Sequence, residues 1–188
     1  MYSTLITAAQ LQQLQKQNQP VLVFDCSFDL AQPEAGQAQF AQAHIPGALH
    51  ADLDRHLSVH DDRPTASGGR HPLPTRENFA AWLAATGLNQ NMQVVAYDRS
   101  NNSYAARLWW MLQWAGHGAV AVLDGGLAAW QAEGGAVEAG PTAALPAGNF
   151  VLRAPLRRLV TASEVLQALG HPGQTLIDAR ATPRFRGE

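Results

Sequence analysis

The sequence predicts an α/β fold, a mostly parallel sheet covered by helices on both faces. Three observations carry that expectation. Short apolar runs rich in β-formers (VLVFD, QVVAY, AVAVL) alternate with segments of helical spacing, the order that builds parallel sheets. Each run is five residues long and almost wholly apolar, as buried strands are. One helical segment, SYAARLWWMLQWA, is apolar nearly all round, which suits a helix buried on most sides.

Each element has its own local reason. Thr7 and Gln10 have the spacing of a capping box, in which Thr caps the helix and Gln reaches back; the helix runs to about Lys16. VLVFD, Val21 to Asp25, reads as a buried strand. Thr75 precedes RENFAAWLAATG, a helix closed by Gly87. QVVAY is the next strand, and Ser103 to Ala115 the apolar helix, ended by Gly116. AVAVL is a further strand, Asp124-Gly-Gly a tight turn, and LAAWQAEG another helix. Residues 138–158 shift to Ala, Gly and Pro (EAGPTAALPAGNF) and read as a linker between a first domain, 1–137, and a second segment, 159–188.

Bulk properties narrow the function. The chain has 188 residues, 46% hydrophobic, with a net charge of −2 and no long basic run, so nucleic acid and acidic membranes are not expected partners. Its longest apolar stretches are far too short to span a bilayer, and MYSTLITAAQLQQLQ lacks the charged start and apolar core of a signal peptide. A single cysteine, Cys26, allows no intramolecular disulfide. A cytoplasmic protein is expected.

The segment after the linker repeats the beginning. LVTASEVLQAL followed by TLIDAR resembles LITAAQLQQL followed by LVFDCS, matching Thr161 to Thr7 and Asp178 to Asp25, and Glu164 restores the capping box. Self-similarity at long period reads as a duplicated domain. About thirty residues cannot bury a core of their own, so the second copy is expected to be incomplete and the chain truncated.

The stretch VVAYDRSNNSYAARLWW joins a strand to a helix through a short polar loop. Backbone N–H groups at such a helix start favour an anion, yet the loop opens on Asp98. Its carboxylate can itself accept those N–H groups, as an N-cap does. A phosphoryl-accepting aspartate is the alternative, but YDRSNN lacks a second acid two residues on. Cys26, in DCSFDL, has no glycine-rich nest and no immediate helix; it reads as a small buried hydrophobe. His56 and His60 have the i, i+4 spacing of metal ligands on a helix, but Gly, Pro and Ser crowd the stretch that follows. A solvated loop without a metal is the expectation.

AHIPGALHADLD, VVAYDRSNNSYAARLWWMLQWAGH, VAVLDGGLAAW and DARATPRFRGE occur in this order and resemble the tandem-domain rhodaneses, the thiosulfate and 3-mercaptopyruvate sulfurtransferases. The resemblance spans essentially the whole chain. It implies a rhodanese-like domain followed by the truncated start of a second copy, with the nucleophilic cysteine in the second domain and beyond this chain. That cysteine thiolate takes the outer sulfur of an anionic donor as a persulfide and passes it to a thiol or cyanide; no cofactor is implied. Catalytic residues are therefore expected to be absent from these 188 residues, with Asp98 at the vestigial position of the nucleophile. Arg184 matches the arginine that binds the anionic donor, with Arg180 and Arg186 beside it. Six of the thirteen basic residues are arginines among the last 36 positions, against Glu164, Asp178 and Glu188, and guanidinium suits oxyanionic groups. Asp54 and His71 match first-domain residues that reach the cleft in mercaptopyruvate sulfurtransferases. Two alternatives stand beside this reading: a non-catalytic rhodanese-like module that recruits a partner, and a rhodanese-related phosphatase, which also needs a loop cysteine.

Overall fold

Five strands and seven helices follow one another in the computed structural model, which describes residues 1–188: β1 (Leu5–Ile6), α1 (Ala8–Lys16), β2 (Val21–Asp25), α2 (Ala35–Gln42), β3 (Leu49–His50), α3 (Arg76–Ala85), β4 (Gln93–Tyr97), α4 (Ala105–Trp114), β5 (Val120–Leu123), α5 (Gly126–Ala132), α6 (Ala162–Ala168) and α7 (Thr182–Arg186). The chain divides into two units, Met1–Arg158 and Leu159–Glu188. No helix is long and apolar enough to cross a membrane.

In the first unit all five strands form one sheet in the order β1-β5-β4-β2-β3, every pairing parallel. The central strand β4 is buried along its whole length, with Phe24 of β2 opposite Ala96 and Val120 of β5 opposite Val94. Alternation along each strand sends successive side chains to opposite faces. Val23, Val95, Tyr97, Ala121 and Leu123 join Leu11 of α1, Phe40 of α2 and Trp130 of α5 in one cluster. On the other face Phe24 meets Trp82 of α3, ring centroids 5.6 Å apart. The predicted α/β class, helices covering both faces, is the observed one.

Threonine starts α1 and α3. The Thr7 hydroxyl accepts from the Gln10 N–H while Gln10 reaches back to the Thr7 N–H, and Thr75 accepts from Asn78. Four elements escaped the sequence reading, the five-residue helix α7 among them. The strands β1 and β3 have only two residues each, too few for a period to show. In α2, AGQAQFAQ, alanine and glutamine leave Phe40 as the one large apolar anchor. The helix expected over Ser103 to Ala115 begins two residues later, because the side chain of Asp98 takes the first N–H groups.

The segment expected as a linker packs on the first unit. Glu138 bridges antiparallel to His44, Phe150 is buried beside His117, and Arg76 of α3 donates to the Arg153 carbonyl at 2.5 Å. Within the second unit, Thr161 and Glu164 form a complete capping box at the start of α6. TLIDAR, although it resembles β2, forms no strand, and Leu176 and Ile177 are 65% and 80% exposed. A strand exists through its neighbours' hydrogen bonds, and these thirty residues contain no other strand.

Gly36 tests how tightly α2 is seated. A Cβ there would lie 2.1 Å from the Ser27 carbonyl oxygen. Gly→Ala in a helix ordinarily stabilises by up to about 1 kcal/mol; here overpacking reverses the sign. Gly36→Ala is expected to destabilise by about 1–3 kcal/mol, read as a lower midpoint in denaturant unfolding.

Candidate functional site

The turn between β4 and α4 is organised by one side chain. Asp98 follows the last residue of β4 and is 2% exposed. Its Oδ1 accepts from the N–H groups of Ser100 and Asn102 at 2.7 and 2.8 Å, and its Oδ2 from those of Tyr104 and Ala105 at 2.8 and 2.9 Å. Asn101 and Asn102 take left-handed conformations, φ 54° and 62°, which asparagine tolerates better than most residues. The adjoining turn approaches so closely that a Cβ on Gly126 would lie 2.4 Å from the Asp98 carbonyl oxygen. Between the two turns lies a cavity of about 380 Å³ lined by Asp98, Arg99, Asn102, Asp124 and Gly125.

The Arg99 guanidinium reaches back to the strand beside β4. Its Nη1 donates to Asp25 Oδ2 at 2.8 Å and to Ser27 Oγ at 2.6 Å, and its Nη2 donates to the Ala43 carbonyl. Asp25 is fully buried, so this guanidinium neutralises a carboxylate that burial alone would penalise heavily. Cys26 lies next to it, fully buried, its N–H on the Tyr97 carbonyl. Burial, then the charges of Asp25 and Asp98, pushes its thiol well above the ordinary range. A thiolate nucleophile needs the opposite environment.

A second cluster gathers in the loop after β3. The Asp52 carboxylate accepts the N–H groups of Asp54 and Arg55, closing a tight turn. His56 points inward from it: its Nδ1 accepts the Asp52 N–H, its ring stacks on Trp82, and burial lowers its pKa. It therefore shares no face with His60. Asp54 instead meets His60 and His71, whose Nε2 and Nδ1 each lie 3.0 Å from Asp54 Oδ1. Arg107 of α4 holds the loop's two ends, donating to the carbonyls of Leu57 at 2.8 Å and His71 at 2.9 Å.

Asp98, Asp54 and His71 thus all lie in the first unit. Asp54 and His71 touch, and Asp98 occupies a separate turn. Arg184 is exposed on α7 in the second unit with Arg186, whereas Arg180 forks onto Asp178, Nη2 to Oδ2 2.6 Å. Arg99 and Arg107 were missed by the sequence reading, and His60 was paired there with His56 rather than with Asp54, since each takes its meaning from partners more than five positions away.

Residues 7–133 match the family model described as rhodanese-like domain. The chain is 45% identical over 188 residues to a Pseudomonas aeruginosa protein named "Probable 3-mercaptopyruvate sulfurtransferase", covering 98% of this chain and 64% of the relative. It is 33% identical over 169 residues to the thiosulfate sulfurtransferase of Cricetulus griseus, covering 88% and 54%. Among solved structures, it is similar to SseA from Escherichia coli, described under the fold and mechanism of 3-mercaptopyruvate sulfotransferases, with a TM-score of 0.81, 31% identity, and coverage of 98% of this chain and 68% of that one. The chain therefore spans less than two thirds of the length of the two relatives.

Four N–H groups depend on Asp98, so its removal should cost more than a single lost cap. Asp98→Ala is expected to destabilise by about 2–4 kcal/mol, against about 1 for an ordinary N-cap. Asp98→Asn should cost less, because one oxygen still accepts. Unfolding midpoints of the two variants check the order.

Proposed function

The chain belongs to the rhodanese-like domain family, and on that premise we propose that it supplies the non-catalytic domain of a two-domain sulfurtransferase. In this reading a cysteine thiolate of a second rhodanese-like domain, outside these 188 residues, attacks the outer sulfur of thiosulfate or the thiol sulfur of 3-mercaptopyruvate. Sulfite leaves as the S–S bond breaks, or the enolate of pyruvate leaves as the C–S bond breaks and takes a proton from solvent. The cysteine holds a persulfide, and a thiol or cyanide takes the sulfur.

The observation that carries this reading is the Asp98 carboxylate in the β4–α4 turn, where a ring of N–H groups would otherwise stabilise an anionic sulfur. All four N–H groups are already committed to Asp98. The only thiol, on Cys26, is sealed and held protonated by its surroundings. The same saturation disfavours a phosphoryl-accepting Asp98, whose oxygens each take two hydrogen bonds and face little solvent.

Two sets of residues would serve the complete enzyme. Arg184 would bind the anionic end of the donor, with Arg186 nearby. Asp54 and His71 would act from the first domain at the cleft: Asp54 accepts His71 Nδ1–H, which leaves Nε2 as the basic nitrogen, and Nε2 is buried without a hydrogen-bond partner. An aspartate fixes a histidine's tautomer in this manner when the free nitrogen is to accept a proton.

The 188-residue chain alone is expected to show no steady sulfur transfer from either donor, and its thiol should react with a disulfide reagent only after unfolding. Turnover by the chain that disappears in Cys26→Ser would overturn the reading. In the longer polypeptide, Arg184→Ala should remove a charge-assisted contact of ~1.5–3 kcal/mol, about tenfold or more in apparent donor affinity, with the unfolding midpoint unchanged. Initial rates against donor concentration measure it; equal affinity in both proteins would return Arg184 to the surface.

A further inference from the structure

From the convergence of Asp54, His60 and His71 we infer that the loop after β3 is a binding site for a divalent transition-metal ion of the zinc class. One ligand atom from each of the three residues lies within 4.8 Å of the other two, and Asp54 Oδ1 is 3.0 Å from both His60 Nε2 and His71 Nδ1. Zinc binds imidazole nitrogen at about 2.0–2.1 Å and carboxylate oxygen at about 2.0–2.2 Å. Ligand atoms around such an ion stand roughly 3.0–3.4 Å apart, so an ion fits once Asp54 gives by a few tenths of an ångström and the two imidazole nitrogens, within 4.8 Å of each other, close on it. Two imidazoles and one carboxylate select zinc, cobalt or nickel over magnesium or calcium, which favour oxygen-only shells. Three protein ligands leave a position for water.

The surroundings suit an exchangeable ion. His60 is 44% exposed at the side chain and Asp54 32%, which gives an entry path, while His71 is 19% exposed and anchors the site. The loop is folded back on itself rather than loose: Val59 N–H donates to the Pro72 carbonyl, Ala66 N–H to Leu73, and Arg107 holds Leu57 and His71 from α4. The nearby Arg63 is occupied by Asp61, so its guanidinium is neutralised beside the loop. His71 Nε2 has no partner, so the proton that Asp54 otherwise holds on Nδ1 can move to Nε2 when Nδ1 takes the metal; the bound ion and the proton-accepting role of His71 therefore exclude one another. The missing acceptor at Nε2 makes the site weaker than tight structural zinc sites, whose ligands are supported from behind. This set differs from the i, i+4 pair that the sequence suggested and set aside: His56 points inward, and His71 takes its place. The site belongs to this chain whether or not the sulfur-transfer reading holds.

Titration of the tag-free 188-residue chain with zinc alone, followed by calorimetry, tests it. One equivalent should bind in the micromolar range and raise the melting temperature, as any ligand of the folded state does. His60→Ala, at an exposed position, should fold normally, weaken binding about tenfold or more, and lose the thermal shift. Asp54→Asn should behave likewise, and His171→Ala, in the second unit, should bind as the parent does. Absence of binding in the micromolar range, an unchanged affinity in His60→Ala, or loss of binding in His171→Ala would each overturn the assignment and leave Asp54 with two hydrogen-bonded histidines only.

Discussion

The connection from β4 to α4 depends on the Asp98 carboxylate, and much of the first unit depends on that connection. A parallel strand that turns directly into a helix brings several N–H groups to one point with no carbonyls to receive them. Buried donors left in that state each cost about 1–3 kcal/mol. Asp98 answers four of them with two oxygens. The turn so fixed directs Arg99 backwards onto Asp25, Ser27 and Ala43. It thereby ties β4 to the end of β2 and to the corner after α2. The buried charge of Asp25 and the seal over Cys26 follow from the same residue.

A parallel logic governs the loop after β3. It carries little regular structure, so its shape is imposed from outside and by short side-chain turns. Arg107 reaches from α4 to both ends of the loop, and burial lowers the pKa of that guanidinium without displacing it from the two carbonyls. Because α4 begins where Asp98 releases it, the position of Arg107 is set by the β4–α4 turn as well. The arrangement of Asp54, His60 and His71 is thus downstream of Asp98 although none of them touches it.

Local rules made much of the fold legible in advance. The capping boxes at Thr7 and Thr161 are four-residue patterns and formed where their residues stand. The strands VLVFD and QVVAY announced themselves by composition, and the Gly-Gly turn by its need for positive φ. What stayed hidden was set at long range. The two-residue strands β1 and β3 exist only because β5 and β2 offer them hydrogen bonds, and TLIDAR, which has no such neighbour in its own unit, is no strand. Asp98 as an acceptor of the turn's N–H groups was legible in the strand–loop–helix stretch, and Asp54 and His71 were named from a family resemblance. The number of N–H groups, the contact between Asp54 and His71, the Arg99 anchor and the place of His60 needed coordinates. Side chains 17 and 74 positions apart meet in these contacts, a separation no local window reaches.

The contrast between Asp98 and Cys26 shows why the first unit is built for support. Both are buried at the C-terminal ends of neighbouring parallel strands, the edge at which open α/β sheets commonly place ligands. At one strand the nest of N–H groups is present, but a carboxylate of the chain itself fills it. At the other the sulfur is present, but its neighbours are the carboxylates of Asp25 and Asp98, and apolar burial outweighs both in keeping it protonated. Sulfur transfer needs nest and thiolate at one point. Here they are separated by one strand spacing, and Arg99, the cation that would favour a thiolate, is already bound to Asp25. Moving the sulfur into the nest would first require removing Asp98, and with it the bonds that give the nest its shape.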